Sequence, residues 1–140
     1  MITREVEQQL MRTAIEYRKR SYSPYSGYQV GAALLAVDGE IFGGCNVENA
    51  SFSPTNCAER TALFKAVSEG KTEFAAIAVV GGKAGESPEF CTPCGVCRQA
   101  LVEFCNPKEF MVYLGTGVED YKAYLLEELL PFSFTPKNVL

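Results

Sequence analysis

Three cysteines in this chain stand at spacings that suit metal binding. Cys94 and Cys97 form a C-x-x-C pair within Thr92–Pro93–Cys94–Gly95–Val96–Cys97, and Cys57 lies upstream in Asn56–Cys57–Ala58–Glu59–Arg60. Each segment reads as the start of a helix, where unsatisfied N–H groups and the helix dipole favour thiolate over thiol. Residues three apart on a first turn face the same side, so Cys94 and Cys97 can address one ion. Three sulfurs leave one open position on a four-coordinate zinc, with the Glu59 carboxylate beside it. That is the layout of a catalytic site rather than a closed structural one.

Three thiolates give a zinc inner shell a net charge of −1, a poor Lewis acid unless something withdraws charge. The two helix N-termini do so, and Arg60 is the nearest cation, suited to donating hydrogen bonds to the cysteine sulfurs. Glu59 would take a proton from a zinc-bound water, the hydroxide would attack an electrophilic ring carbon, and Glu59 would return protons to the ring nitrogen and the departing amine. The chain contains no histidine, so no other residue type is as well suited to that shuttling near neutral pH. A thioredoxin-like redox pair is the rival reading of C-x-x-C, but it needs neither Cys57 nor Glu59. Positions i and i+2 of a helix do not share a face, so Cys57 must lie at the helix entry, before the chain becomes regular. Asn56-x-x-Glu59 also has the form of a capping box, a second use that competes for the same carboxylate.

The elements that must hold these groups fit one domain spanning residues 1–140. A hydrophobic fraction of 47% and a charged fraction of 21% are ordinary for a globular protein. The net charge of −4 argues against a nucleic acid polymer as partner, which needs clustered Lys and Arg. The densest basic stretch, Arg18–Lys19–Arg20, reads as a solvated helix end. With no apolar run near the ~20 residues of a membrane span and no signal peptide, the expected location is cytoplasmic. Six cysteines are then thiols or metal ligands rather than a disulfide framework.

The spacing of Val6, Leu10, Ala14 and Tyr17 predicts a first helix over 3–20, capped by Thr3. Tyr28–Val37 and Glu40–Gly44 read as strands joined by an Asp38–Gly39 hairpin turn. The small Gly31–Ala32–Ala33 calls for a close neighbour, most simply a helix. Cys45–Pro54 has no clean period, and its polar residues suit either turns or a pocket for hydroxyl groups. A second helix runs from Asn56 to Val67 or Ser68 with Gly70 as its stop. Phe74–Val80 is a buried strand bounded by Gly81–Gly82. A third helix starts with Thr92 as cap and Pro93 at its first position, and ends at Asn106–Pro107. Phe110–Leu114 and Tyr121–Leu125 are further strands, and Glu127–Leu130 is one helical turn stopped by Pro131. This order predicts a three-layer α-β-α fold with a mixed five-stranded sheet.

Cys57–Ala58–Glu59–Arg60 with Pro93–Cys94–Gly95–Val96–Cys97 resembles the zinc-dependent nucleoside and nucleobase deaminases, whose signature is H-x-E with P-C-x-x-C. Cys57 replaces the histidine, as in the small homotetrameric cytidine deaminases. Ser23–Ser26, Gln29–Leu34, Gly44–Ala50, Cys57–Ala62 and Glu127–Phe132 extend the likeness to nearly the whole chain. The resemblance implies one Zn²⁺ per subunit on Cys57, Cys94 and Cys97, Glu59 as the catalytic group and Arg60 supporting the sulfurs. It also implies a pyrimidine nucleoside whose ribose meets Asn46 and Glu48, and whose base meets Tyr28 and the backbone at Cys57 and Ala58. Tyr28 departs from the usual phenylalanine. Ala50, Phe52 and the C-terminal Phe132 or Phe134 are implied to reach a neighbouring subunit's pocket in a homotetramer.

Hydrolytic deamination of cytidine and 2′-deoxycytidine is therefore the first expectation. A deaminase of a cytosine-bearing antibiotic of the blasticidin S type is the alternative within that chemistry. A non-catalytic zinc-stabilised module is the alternative outside it; this would need Cys91 as a fourth ligand, whereas Cys91, Cys45 and Cys105 read as bystander or structural thiols.

Overall fold

The computed structural model describes residues 2–140. Helix α1 (Arg4–Arg18) begins as its sequence requires, with the Thr3 hydroxyl accepting the Val6 N–H and Glu5 and Glu7 in the first turn. Strands β1 (Tyr28–Ala36) and β2 (Ile41–Cys45) follow, then α2 (Ala58–Ser68), β3 (Phe74–Lys83), α3 (Gly95–Val102), β4 (Met111–Gly115), β5 (Tyr121–Leu125) and the short α4 (Leu126–Leu129). One sheet has the order β2-β1-β3-β4-β5. β3 and β4 run parallel and the other pairs antiparallel, so the sheet is mixed.

Alternate residues of the central strands face opposite layers. Ala33, Leu35, Ala76, Ala78 and Val80 turn toward Leu10, Met11 and Ala14 of α1. Ala32, Leu34, Ile77, Val79 and Val112 pack with Ala62, Leu63 and Ala66 of α2 and Leu101 and Val102 of α3. The result is the expected three-layer sandwich. A helix is indeed what lies on Gly31: a Cβ there would stand 2.0 Å from the Ala14 carbonyl oxygen and 2.3 Å from the Arg18 nitrogen. Both are backbone atoms of α1 and cannot swing aside. Gly31→Ala should therefore lower stability by about 1–3 kcal/mol through overpacking, while Gly117→Ala, with nothing within 4 Å, should stay near wild type in the same urea titration. Equal midpoints for the two variants would refute the close approach.

Several sequence boundaries move for physical reasons. β3 continues through Gly81 and Gly82, which pair with Val30 and Gln29. They are small because neighbours lie over them: a Cβ on Gly81 would meet Cys91 Sγ at 2.9 Å, and one on Gly82 would meet Arg18 Nη2 at 3.0 Å. Arg18 is not a solvated helix end. Its Nε donates to the Gln29 carbonyl at 3.2 Å and its Nη2 to those of Lys83 and Glu86, each at 3.0 Å. α3 starts later and ends earlier than expected, at Gly95 and Val102, and its cap is Cys94 rather than Thr92. The hairpin turn is as read, with Gly39 at φ +98°, although pairing resumes at Ile41. The helical turn before Pro131 lies one residue earlier than its expected span. The apolar tail does not bury itself on this chain, since Phe132 and Phe134 are 106% and 61% exposed.

Candidate metal centre

α2 follows the β1–β2 hairpin and α3 follows β3, and the N-termini of both helices meet over one end of the sheet. Cys57 is the N-cap of α2 (φ −74°, ψ 157°) and Cys94 the N-cap of α3 (φ −68°, ψ 165°), both in extended conformation. Neither sulfur accepts a capping hydrogen bond from its own helix, so both remain available to a metal. Cys97 sits one turn into α3 and is fully buried. The extended backbone at Cys57 resolves the spacing problem: Cys57 lies outside the helical repeat, and Glu59 in the first turn of α2 is free to turn to the same side.

Among the described residues, the sulfurs of Cys57, Cys94 and Cys97 form a metal-competent group within 4.8 Å of one another. The separations of Cys94 from Cys57 and from Cys97 are 3.8 and 3.4 Å. A tetrahedral zinc at its usual distance of about 2.3 Å from each sulfur requires S···S edges of about 3.8 Å. The donor set therefore fits zinc closely. Cys91 stands outside the group, its Sγ packed over Gly81, so the closed four-sulfur arrangement of a binding module is not formed.

The electrostatics favour a cation between the sulfurs. Hydrogen bonds from Cys97, Arg60 and Cys94 hold the Cys57 thiol down at about 5 against the opposing effect of burial. Cys97 is pushed up, first by sharing its proton with Cys57 and then by burial. Arg60 Nη2 donates to Cys57 Sγ at 3.4 Å, the charge-withdrawing contact expected of it. Its Nε is buried without a partner.

Glu59 is 4% exposed. Burial pushes its carboxyl up to about 7, and the Cys57 charge adds to the rise. A carboxyl poised there can give and take protons near neutral pH. The competing capping box is not made: Asn56 Nδ2 donates instead to the Thr61 hydroxyl at 3.2 Å.

The polar segment after β2 is folded against the start of β1. Asn46 Oδ1 accepts from Val30 N at 2.9 Å and from the Ser21 hydroxyl at 2.5 Å, while Nδ2 donates to the Tyr28 carbonyl at 2.8 Å. Both acceptor sites of its amide oxygen are thus used, leaving one N–H to offer outward. Glu48 Oε1 accepts from Tyr25 N at 3.0 Å and Ser26 N at 3.1 Å, and Oε2 accepts from the Ser26 hydroxyl. These bonds, the Ser26 hydroxyl foremost, hold its carboxyl below the ordinary range. Glu48 also lines an open cleft of ≈ 340 Å³ with Tyr25, Ser26, Asn49, Phe52 and Thr55. Ala58 is buried at the first position of α2, and Phe52 is 78% exposed. The Tyr28 ring packs on Gly81 beside Cys91, 3.2 Å from where a Cβ would stand. Its hydroxyl is pushed up by burial and by Cys91 and Glu89.

Sequence reasoning missed the Ser26 grip on Glu48 and the role of Arg98, whose guanidinium reaches the Pro93 and Leu129 carbonyls. The Ser26–Glu48 and Arg98–Leu129 bonds span elements distant in sequence, and the nearer Arg98–Pro93 bond forms no standard capping pattern, so nothing local marks either.

Residues 4–114 match the family model of the cytidine and deoxycytidylate deaminase zinc-binding region. A cytidine deaminase from Halalkalibacterium halodurans is 49% identical over 132 residues, covering 94% of this chain and 96% of that protein. The crystal structure of cytidine deaminase from Burkholderia pseudomallei superposes with a TM-score of 0.79 at 46% identity, covering 90% of this chain and 97% of the other. That of cytidine deaminase from Mycobacterium tuberculosis gives 0.76 at 36%, covering 90% and 94%. Sequence and architecture agree over nearly the same span as the elements that bring the three sulfurs together, and this chain belongs to the zinc-binding cytidine and deoxycytidylate deaminase family.

Proposed function

We propose that this protein deaminates cytidine and 2′-deoxycytidine hydrolytically, giving uridine and 2′-deoxyuridine with release of ammonia. The observation that carries the reading is the buried Glu59 carboxyl beside a three-sulfur zinc site. Cys57, Cys94 and Cys97 would hold the zinc, which would supply an activated water for addition to C4 of the pyrimidine. Glu59 would accept the first proton that the water gives up and pass it to ring N3. It would then take the second from the hydroxyl newly bonded to C4 and deliver it to the amino group, so that the C4–N bond breaks, C4=O forms and ammonia leaves. Arg60 holds the Cys57 sulfur and offsets its charge. The backbone at Ala58 faces the base edge, with Tyr28 beside the ring.

The sugar is held by Asn46 and Glu48. Both side chains are fixed by internal hydrogen bonds, so they meet ribose hydroxyls without further ordering. Glu48→Gln should raise KM for cytidine on the order of 10- to 100-fold through a lost charged hydrogen bond, with kcat changed far less. An unchanged KM would remove Glu48 from the sugar site.

The active protein is a homotetramer in which Ala50, Phe52 and Phe132 or Phe134 complete a neighbour's pocket. The exposure of all three aromatics supports this, as does the position of the Glu48 cleft, which none of the three sulfurs lines. Light scattering should then give four chains of 15.3 kDa. A cytoplasmic location is supported by the absence, among the described residues, of any helix long and apolar enough to cross a membrane.

The deciding experiment follows absorbance with cytidine, deoxycytidine, cytosine, CMP, adenosine and blasticidin S as substrates. Turnover confined to the two cytosine nucleosides is the expected result. Turnover of blasticidin S alone, or of none, overturns the proposal.

A further inference from the structure

Two backbone carbonyls near the metal centre have no partner within regular structure. Pro93 precedes the α3 cap, so its carbonyl lies outside the helical ladder, and Leu129 ends a four-residue helix whose last carbonyls are unpaired. One side chain satisfies both: Arg98 Nε donates to the Pro93 carbonyl at 2.8 Å and Nη1 to the Leu129 carbonyl at 2.7 Å. Pro93 is buried and directly precedes the metal ligand Cys94, while Arg98 directly follows the ligand Cys97. The next residue carries the same link further, since Gln99 Nε2 donates to the Phe134 carbonyl at 2.8 Å.

We propose that Arg98 is a positioning residue that holds the Cys94 ligand loop and the root of the C-terminal tail in one register, and that Gln99 extends this hold to Phe134. A guanidinium suits the task because its donors lie on separate atoms of a rigid plane and can span two carbonyls at once, which an ammonium on a flexible stem does less well. With the Pro93 carbonyl anchored, Cys94 enters α3 in the extended conformation that turns its sulfur toward Cys57. With Leu129 anchored to the same group, the chain leaves α4 in a fixed direction toward Phe132 and Phe134. Metal retention and tail placement are thereby coupled through one residue that touches neither metal nor substrate.

The kinetic part of this inference rests on the proposed deaminase activity; the metal-retention part does not. The zinc-loaded full-length protein and its Arg98→Met, Arg98→Lys and Gln99→Leu variants are mixed with a chromogenic zinc chelator, and release is timed. Arg98→Met should release zinc on the order of 10- to 100-fold faster, as for other groups that orient metal ligands. Arg98→Lys, able to reach one carbonyl, should fall between it and wild type. Gln99→Leu should release zinc at the wild-type rate while raising KM for cytidine, leaving kcat little changed. Gly31→Ala serves as the control for general destabilisation, since its clash lies on the opposite layer. Should it hasten release as much as the Arg98 variants at matched Tm, or should Arg98→Met and Arg98→Lys both match wild type, the positioning role is overturned. If Arg98→Met does not fold, Arg98→Lys against Gly31→Ala decides alone. Fast zinc release from the Arg98 variants without turnover of any nucleoside would sink the deaminase proposal and leave this one standing.

Discussion

Glu59→Gln should abolish most deamination of cytidine while leaving the zinc content and the melting temperature close to wild type. The amide nearly matches the carboxylic acid in shape, so the buried space at the start of α2 stays filled. It cannot, however, accept a proton and pass it on. The expected loss in kcat is on the order of 10²–10⁴-fold, the range of a positioned general acid–base group. It should fall on kcat rather than KM, because the missing interaction develops only as the proton moves. Metal analysis distinguishes this from damage to the site, since the three sulfurs are untouched. A variant retaining near-wild-type kcat would show that another group carries the protons. With no histidine in the chain and Glu59 the one buried charged residue among those described, no equivalent substitute stands ready.

The fold was legible because its signals are local. The Thr3 cap, the glycine at φ +98° after Asp38 and the small residues of β1 each act on near neighbours, and each leaves a mark in sequence. The sulfur cluster was legible for a related reason. Thiolates at helix entries are chemically distinctive, and only an extended Cys57 could reconcile its spacing with Glu59. What misled the reading of α3 was Thr92–Pro93, a good cap and first-turn pair by propensity. Cys94 takes the capping position instead, and the buried Pro93 has its carbonyl held by Arg98. The end of β3 was misread because two consecutive glycines ordinarily end a strand. Here their lack of side chains makes room for Cys91 and Arg18. In each case a contact with a distant segment outweighed a local preference, and a single sequence does not display such contacts.

The second large effect concerns the metal itself. Cys57→Ser should lose zinc on dialysis, show no deamination above background and melt at a lower temperature than either wild type or Glu59→Gln. The loss of activity follows from losing the one group able to lower the pKa of a bound water far enough to make a nucleophile near neutral pH. The loss of stability follows from chain connectivity. Cys57 and Cys94 are separated by 37 positions, and a metal joining them restricts the unfolded chain much as a covalent bridge would, if the unfolded chain does not bind zinc. For a loop of that size the chain-entropy model gives about 4 kcal/mol, or a fall in Tm on the order of 10 °C for a domain near this length. A strong chelator acting on wild type should reproduce the same fall, because it removes the same link. Cys91→Ser should change neither zinc stoichiometry nor Tm, its sulfur lying over Gly81 rather than among the ligands. If Cys91→Ser were the variant to lose zinc, the ion would be held by a different set of sulfurs, and the open position that the chemistry requires would not exist.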